Sequence, residues 1–104
     1  MNSKNIFAVL NEDGVQNSYV FTCWDQYHAA TFSPDVEIVA VRPLEVRGKN
    51  YRERKGYLRD LAVDVQTADN GGLSQFECAV LGDFFERNGR RYGLLTEFRE
   101  NGIC

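Results

Sequence analysis

The chain has 104 residues, enough for one domain and too few for two. Hydrophobic residues make up 43% and charged residues 26%, the balance of a soluble globular domain, which argues against disorder over most of the length. The net charge of −3 argues against a uniformly basic nucleic-acid binder, and no apolar run approaches the roughly 20 residues that cross a bilayer.

"IFAVL" (6–10) is a short apolar run rich in strand formers. Asp13-Gly14 follows as a turn signal, and "SYVFTCW" (18–24) is a second run of the same kind. Together they predict an antiparallel hairpin. Thr22 and Asp25 have the T-x-x-D spacing of a helix start, so "WDQYHAATF" reads as a helix of about two turns. It should stop before Ser33-Pro34, because a residue preceding proline resists the helical region. "VEIVAVRPLEV" (36–46) is the strongest strand, and Pro43 marks where it leaves the sheet or becomes an edge.

The second half reads as helical. Over residues 51–69, Tyr57, Leu58, Leu61, Ala62 and Val65 recur at helical spacing, opposite a charged face. "DNGG" (69–72) breaks the pattern. Ser74 and Glu77 then form the S-x-x-E capping box of a new helix. Phe76, Val80 and Phe84, with Ala79 beside them, are its expected core stripe, and Gly89 its expected C-cap. Asn88-Gly89 also suits a two-residue hairpin turn, so residues 81–96 have two readings. The capping box and the three-four spacing favour the helix. A last amphipathic helix is expected over 91–101, with Leu94 and Leu95 meeting Phe98 and Gly102 as the stop.

The fold class that follows is α+β: a small β-β-α-β sheet unit, then three C-terminal helices, in a single domain over 1–104. Its β-rich half is 1–48 and its helical half 49–104.

The sequence points away from an enzyme. His28 is the sole histidine, and it lies five residues from Cys23, off the same helical face. Cys23, Cys78 and Cys104 are widely spaced, which suits no zinc site and no disulfide framework. Cys23 and Cys78 are expected in the core and Cys104 at the surface. Asp60 and Asp64 stand at i, i+4, a spacing more typical of a solvated face than of a cation site. No glycine-rich stretch has phosphate-loop spacing, so no cofactor is expected.

The charge is unevenly distributed. Residues 1–41 carry one lysine against five acids, 42–59 seven cations against two acids, and 60–104 four arginines against eight acids. A basic centre between acidic arms suggests a charged partner. Tyr51 and Tyr57 are interleaved with the cations, and tyrosine and arginine are favoured interface anchors. The expected partner-binding residues are Arg47, Lys49, Tyr51, Arg52, Arg54, Lys55, Tyr57, Arg59, Arg90, Arg91 and Tyr92. A protein or protein complex is the expected partner. Nucleic acid is the alternative, through the basic 42–59 stretch and a helix-turn-helix-like C-terminal pair. The C-terminal helices leave room for a homodimer, and no membrane is involved. The N-terminal five-residue apolar run is shorter than the about 7–15 of a secretory core, so the expected location is cytoplasmic.

The ending "YGLLTEFRENGI", preceded by "DLAVDVQ" and "LSQFECAVLGDFFERNGR", resembles the C-terminal helical part of small proteins encoded by bacteriophages and prophages. The resemblance covers residues 60–104 and carries no functional residues with it. It implies a setting in the host cytoplasm, where phage proteins of this size bind and redirect host proteins. An inhibitor of a host or defence complex is what it leads us to expect.

Overall fold

A computed structural model describes residues 4–69 and 71–104. The elements follow the expected β-β-α-β order and then three helices: β1 (Ile6–Glu12), β2 (Val15–Phe21), α1 (Trp24–Thr31), β3 (Val36–Pro43), α2 (Tyr51–Ala68), α3 (Gln75–Arg91) and α4 (Leu95–Glu100). The sheet is antiparallel with order β2-β1-β3, which makes the protein an α+β fold with β1 in the centre.

Centrality explains why β1 is an unbroken apolar run. Ile6 through Leu10 are all buried, because both faces of the strand are covered. Phe7 and Val9 face the helices, joining Leu58, Leu61, Phe85 and Phe98 in the main core. Ile6, Ala8 and Leu10 face the other way, onto Tyr27 of α1. Asp13 and Gly14 both take positive φ, at 54° and 83°. Two such residues between Glu12 and its partner Val15 make the tight turn whose twist matches the strands.

β3 ends at Pro43, three residues short of the expected end. The chain turns inward there, and Leu44 buries its side chain while its N–H donates to the Asn5 carbonyl at 2.8 Å. One residue of β3 is bulged. Val9 pairs with Ala40 and Leu10 with Ile38, so Val39 has no partner on β1.

The T-x-x-D start of α1 is not made. Cys23 occupies the N-cap without a side-chain bond, and Thr22 offers its N–H to Gln26 Oε1 at 3.1 Å. Asn50 caps α2 instead of any residue singled out beforehand, accepting from the Glu53 N–H at 2.9 Å. The α2 stripe is as read: Leu58, Leu61, Ala62 and Val65 are buried and Tyr57 half-buried. Gly56 sits within α2 with open space where a Cβ would stand. Gly56→Ala should therefore stabilise the protein by about 0.5–1 kcal/mol, read as a raised urea midpoint, since it restricts the unfolded chain and meets no clash.

The Ser74–Glu77 capping box forms in full, and α3 continues as helix to Arg91, so the hairpin alternative at Asn88-Gly89 is overturned. Its core stripe is rotated from the expected one. Leu81, Phe84, Phe85 and Gly89 are buried, whereas Phe76 is 67% exposed. Gly89 is not a cap. It lies inside the helix, where an added Cβ would stand 2.9 Å from Phe98 Cδ2. The actual stop is Gly93 (φ 72°): the Leu94 N–H reaches back to the Gly89 carbonyl at 2.7 Å, the Schellman closure. The same motif recurs at Gly102, where the Ile103 N–H bonds the Phe98 carbonyl at 2.8 Å. The last helix is thus six residues, not eleven. Cys78 also departs from expectation, being exposed, while Cys23 is half-buried.

Candidate binding cleft at the helical end

Folding brings together part of the expected interface and disperses the rest. Tyr51, in the first turn of α2, meets Tyr92, just past α3, with ring centroids 5.6 Å apart. The meeting depends on Gly93: its Cβ position is 3.2 Å from Tyr51 Oη and 3.6 Å from Lys55 Nζ. Around the two rings, Lys49, Asn50, Arg54 and Arg91 complete a shallow cleft of about 290 Å³. Arg91 lies over the Tyr92 ring at 5.7 Å, a cation–π contact that holds it at the rim. Arg54 is oriented by its Nε, which donates to the Gly48 carbonyl at 3.0 Å. Tyr51 is 55% exposed, but Tyr92 is 5% exposed and belongs to the core.

The remaining cations are spoken for or point elsewhere. Arg59 grips Glu97 of α4 with two bonds, at 2.9 and 3.1 Å. That guanidinium holds the Glu97 carboxyl below the ordinary range, and Glu97 in turn raises Arg59. Arg90 pairs with Glu86 at 3.1 Å along α3. Arg47 pairs with Glu45 at 2.5 Å, and Lys4 joins it from the other side at 2.5 Å. The Lys4 ammonium, with Arg47, lowers the Glu45 carboxyl. Arg42 pairs with Asp64 and lies over the half-buried Tyr57 at 5.5 Å, so Asp64 is half of an ion pair and not of a cation site. Among the described residues, Lys49, Arg52, Arg54, Lys55, Arg91 and Arg99 make no ion pair with a carboxylate. Four of these six line or border the cleft.

A compact basic spot results, set at the N-terminal, positive end of the α2 dipole. Glu53 lies beside it, and its carboxylate is engaged with the Lys49 N–H and Asn50 Nδ2, both at 3.2 Å. The opposite charge gathers at the hairpin end of the sheet. Pairing of Glu12 with Val36 and Asn11 with Glu37 sets Glu12, Asp13, Asp35 and Glu37 close together. There, partial burial and the Glu12 carboxylate raise the Tyr19 hydroxyl, which donates to Glu12 at 3.4 Å. A separate hollow of about 330 Å³ lies between α2, α3 and the last residues, with Cys78 and Cys104 on its wall.

Asn50 and Gly93 are the contributors that sequence reading missed. Asn before a Tyr-Arg-Glu first turn is a recognisable cap, and Tyr-Gly-Leu-Leu after an arginine-rich helix end is a recognisable stop.

The chain is therefore a small α+β domain with separated basic and acidic surfaces and one basic, tyrosine-lined cleft. No family model, no curated protein and no solved structure matches it.

Proposed function

We propose that this chain is a non-enzymatic binding protein that docks on a protein partner through the cleft of Lys49, Tyr51, Arg54 and Arg91. The observation that carries this reading is the break-up of the basic stretch. Ion pairs to Glu45, Glu86, Glu97 and Asp64 neutralise Arg47, Arg90, Arg59 and Arg42, leaving a spot rather than a stripe. A polyphosphate backbone is best met by a continuous row of cations. A spot with an exposed tyrosine at its edge suits one or two carboxylates on a protein surface. Helix α4 supports the same reading: it is short, it buries Phe98, and its charged positions Glu97, Arg99 and Glu100 include two acids.

The phage-like ending makes a host protein, such as a defence complex that the chain inhibits, the partner to seek. Tagged protein should retain a stoichiometric partner from nuclease-treated bacterial lysate. Lys49→Glu with Arg91→Glu should weaken that purified complex by tenfold or more, and Tyr51→Ala should weaken it further. Recovery that vanishes with nuclease, or a complex indifferent to these three changes, would overturn the proposal.

A further inference from the structure

The two edges of the sheet are treated differently. Along β2 the start of α3 closes the edge: Glu77 Oε2 accepts the Val20 N–H at 2.6 Å, and Gly72 packs so closely that its Cβ position is 3.3 Å from the Ser18 nitrogen. Along β3 nothing pairs on the outer side among the described residues. An open edge is a template for another strand. This one also exposes Ile38 (47%) and Val39 (45%), and Val63 of α2 (52%) borders the groove of about 590 Å³ beside it.

The bulge decides what fits. A regular strand can pair antiparallel with its own copy only about a residue that faces itself, because partners must share a sheet face. Pairings with β1 put Glu37, Ala40 and Arg42 on the helix face, with Asn11, Val9 and Phe7. They put Val36, Ile38 and Val41 on the α1 face, with Glu12, Leu10 and Ala8. The extra residue at Val39 shifts the alternation by one. Glu37 and Arg42 thereby share a face, as do Ile38 and Val41. The strand can now lie against its copy about the Val39–Ala40 step. In that register Glu37 faces the second copy's Arg42, and Ile38 faces the second copy's Val41, each twice. Val36 falls opposite Pro43, at the end of the ladder, where the missing N–H of proline costs least.

We propose that β3 is a self-association edge, and that its occupant is a second copy of this chain in this register, making a six-stranded sheet. Charge complementarity selects that occupant. Glu37 makes no ion pair within the chain among the described residues, and Arg42, half-buried against Asp64, retains donors for a second carboxylate. The joint covers Ile38 and Val39 and leaves the basic cleft open, so it is independent of the partner docking proposed above.

Sedimentation equilibrium of the full chain, from micromolar to millimolar concentration, tests the inference. A monomer–dimer equilibrium is expected. Ile38→Lys and Glu37→Arg should each raise its dissociation constant about tenfold or more, with circular dichroism unchanged. The register has its own test. Glu37→Arg chains repel each other at both ion pairs, and so do Arg42→Glu chains, but a mixture of the two recreates both pairs. The mixed dimer should be at least about tenfold tighter than either homodimer. Wild-type protein that stays monomeric would overturn the inference. So would a dimer untouched by Ile38→Lys and Glu37→Arg, which would put the joint elsewhere, or a mixture no tighter than its components.

Discussion

Phe98→Ala is expected to lower the free energy of unfolding by about 3–5 kcal/mol, a large share of the roughly 5–15 kcal/mol that holds a small domain together. Phe98 has no exposed surface. Its ring meets Phe85 edge to face with centroids 5.7 Å apart, and Phe85 meets Phe84 in the same manner at 5.1 Å. The absence of a side chain at Gly89 admits the Phe98 ring against α3, so alanine would leave a hole between α3 and α4. Helix α4 has only six residues, far too few to persist without an anchor. Its loosening would also release Glu97 from Arg59. Equilibrium urea unfolding of the variant measures the cost. A loss under about 1 kcal/mol would mean that α4 is held by its two Schellman turns and not by Phe98.

Features encoded by neighbours in the chain were legible, and features encoded by distant residues were not. The hairpin was readable because Asp13-Gly14 is a local turn code between two strand-forming runs. The start of α3 was readable because Ser74 and Glu77 satisfy each other's backbone. The rotation of α3 was not. Phe76, Val80 and Phe84 make as good a stripe as Leu81, Phe84, Phe85 and Gly89, and the choice is made by groups elsewhere. Glu77 is tied to Val20, and Phe98 enters over Gly89. Hydrophobicity alone ranks phenylalanine above glycine for burial, whereas packing puts Phe76 in solvent and Gly89 inside.

The candidate site follows the same division. Lys49, Tyr51 and Arg54 are neighbours in sequence, and their gathering was visible in the basic run. Their convergence with Arg91 and Tyr92 needs the α2–α3 packing and the turn at Gly93. Counting cations along a chain also cannot show which of them are neutralised. Arg59 finds Glu97 38 positions away and Arg42 finds Asp64 22 away, so those two acids bring the +5 centre to +3 in space. Arg47 pairs with Glu45 two positions away in the loop after β3, and Arg90 with Glu86 at i, i+4 along α3, so only the Arg90 pairing could have been read from helical spacing.

Glu77→Ala is expected to cost more than any other substitution of a charged residue, about 2–4 kcal/mol. One oxygen of this carboxylate accepts the Ser74 N–H at 2.9 Å and the other accepts the Val20 N–H at 2.6 Å. Both donors are backbone groups, and the Val20 contact is part-buried, so removing the acceptor leaves a donor that water reaches poorly. Glu77→Gln keeps one acceptor oxygen and replaces the other with an amide NH2, which donates and cannot accept, so it should lose roughly half as much. Urea unfolding gives the stability change, and exchange of the Val20 amide reports the local bond. Exchange should quicken far more than global unfolding requires. An unchanged Val20 rate would show that Glu77 does not guard this edge. The further consequence concerns assembly. With β2 uncovered, the sheet would have two open edges instead of one, and association could pass from a closed pair of β3 strands to an open chain of sheets. Glu77→Ala protein should therefore form species larger than dimers at concentrations where the wild type stops at two.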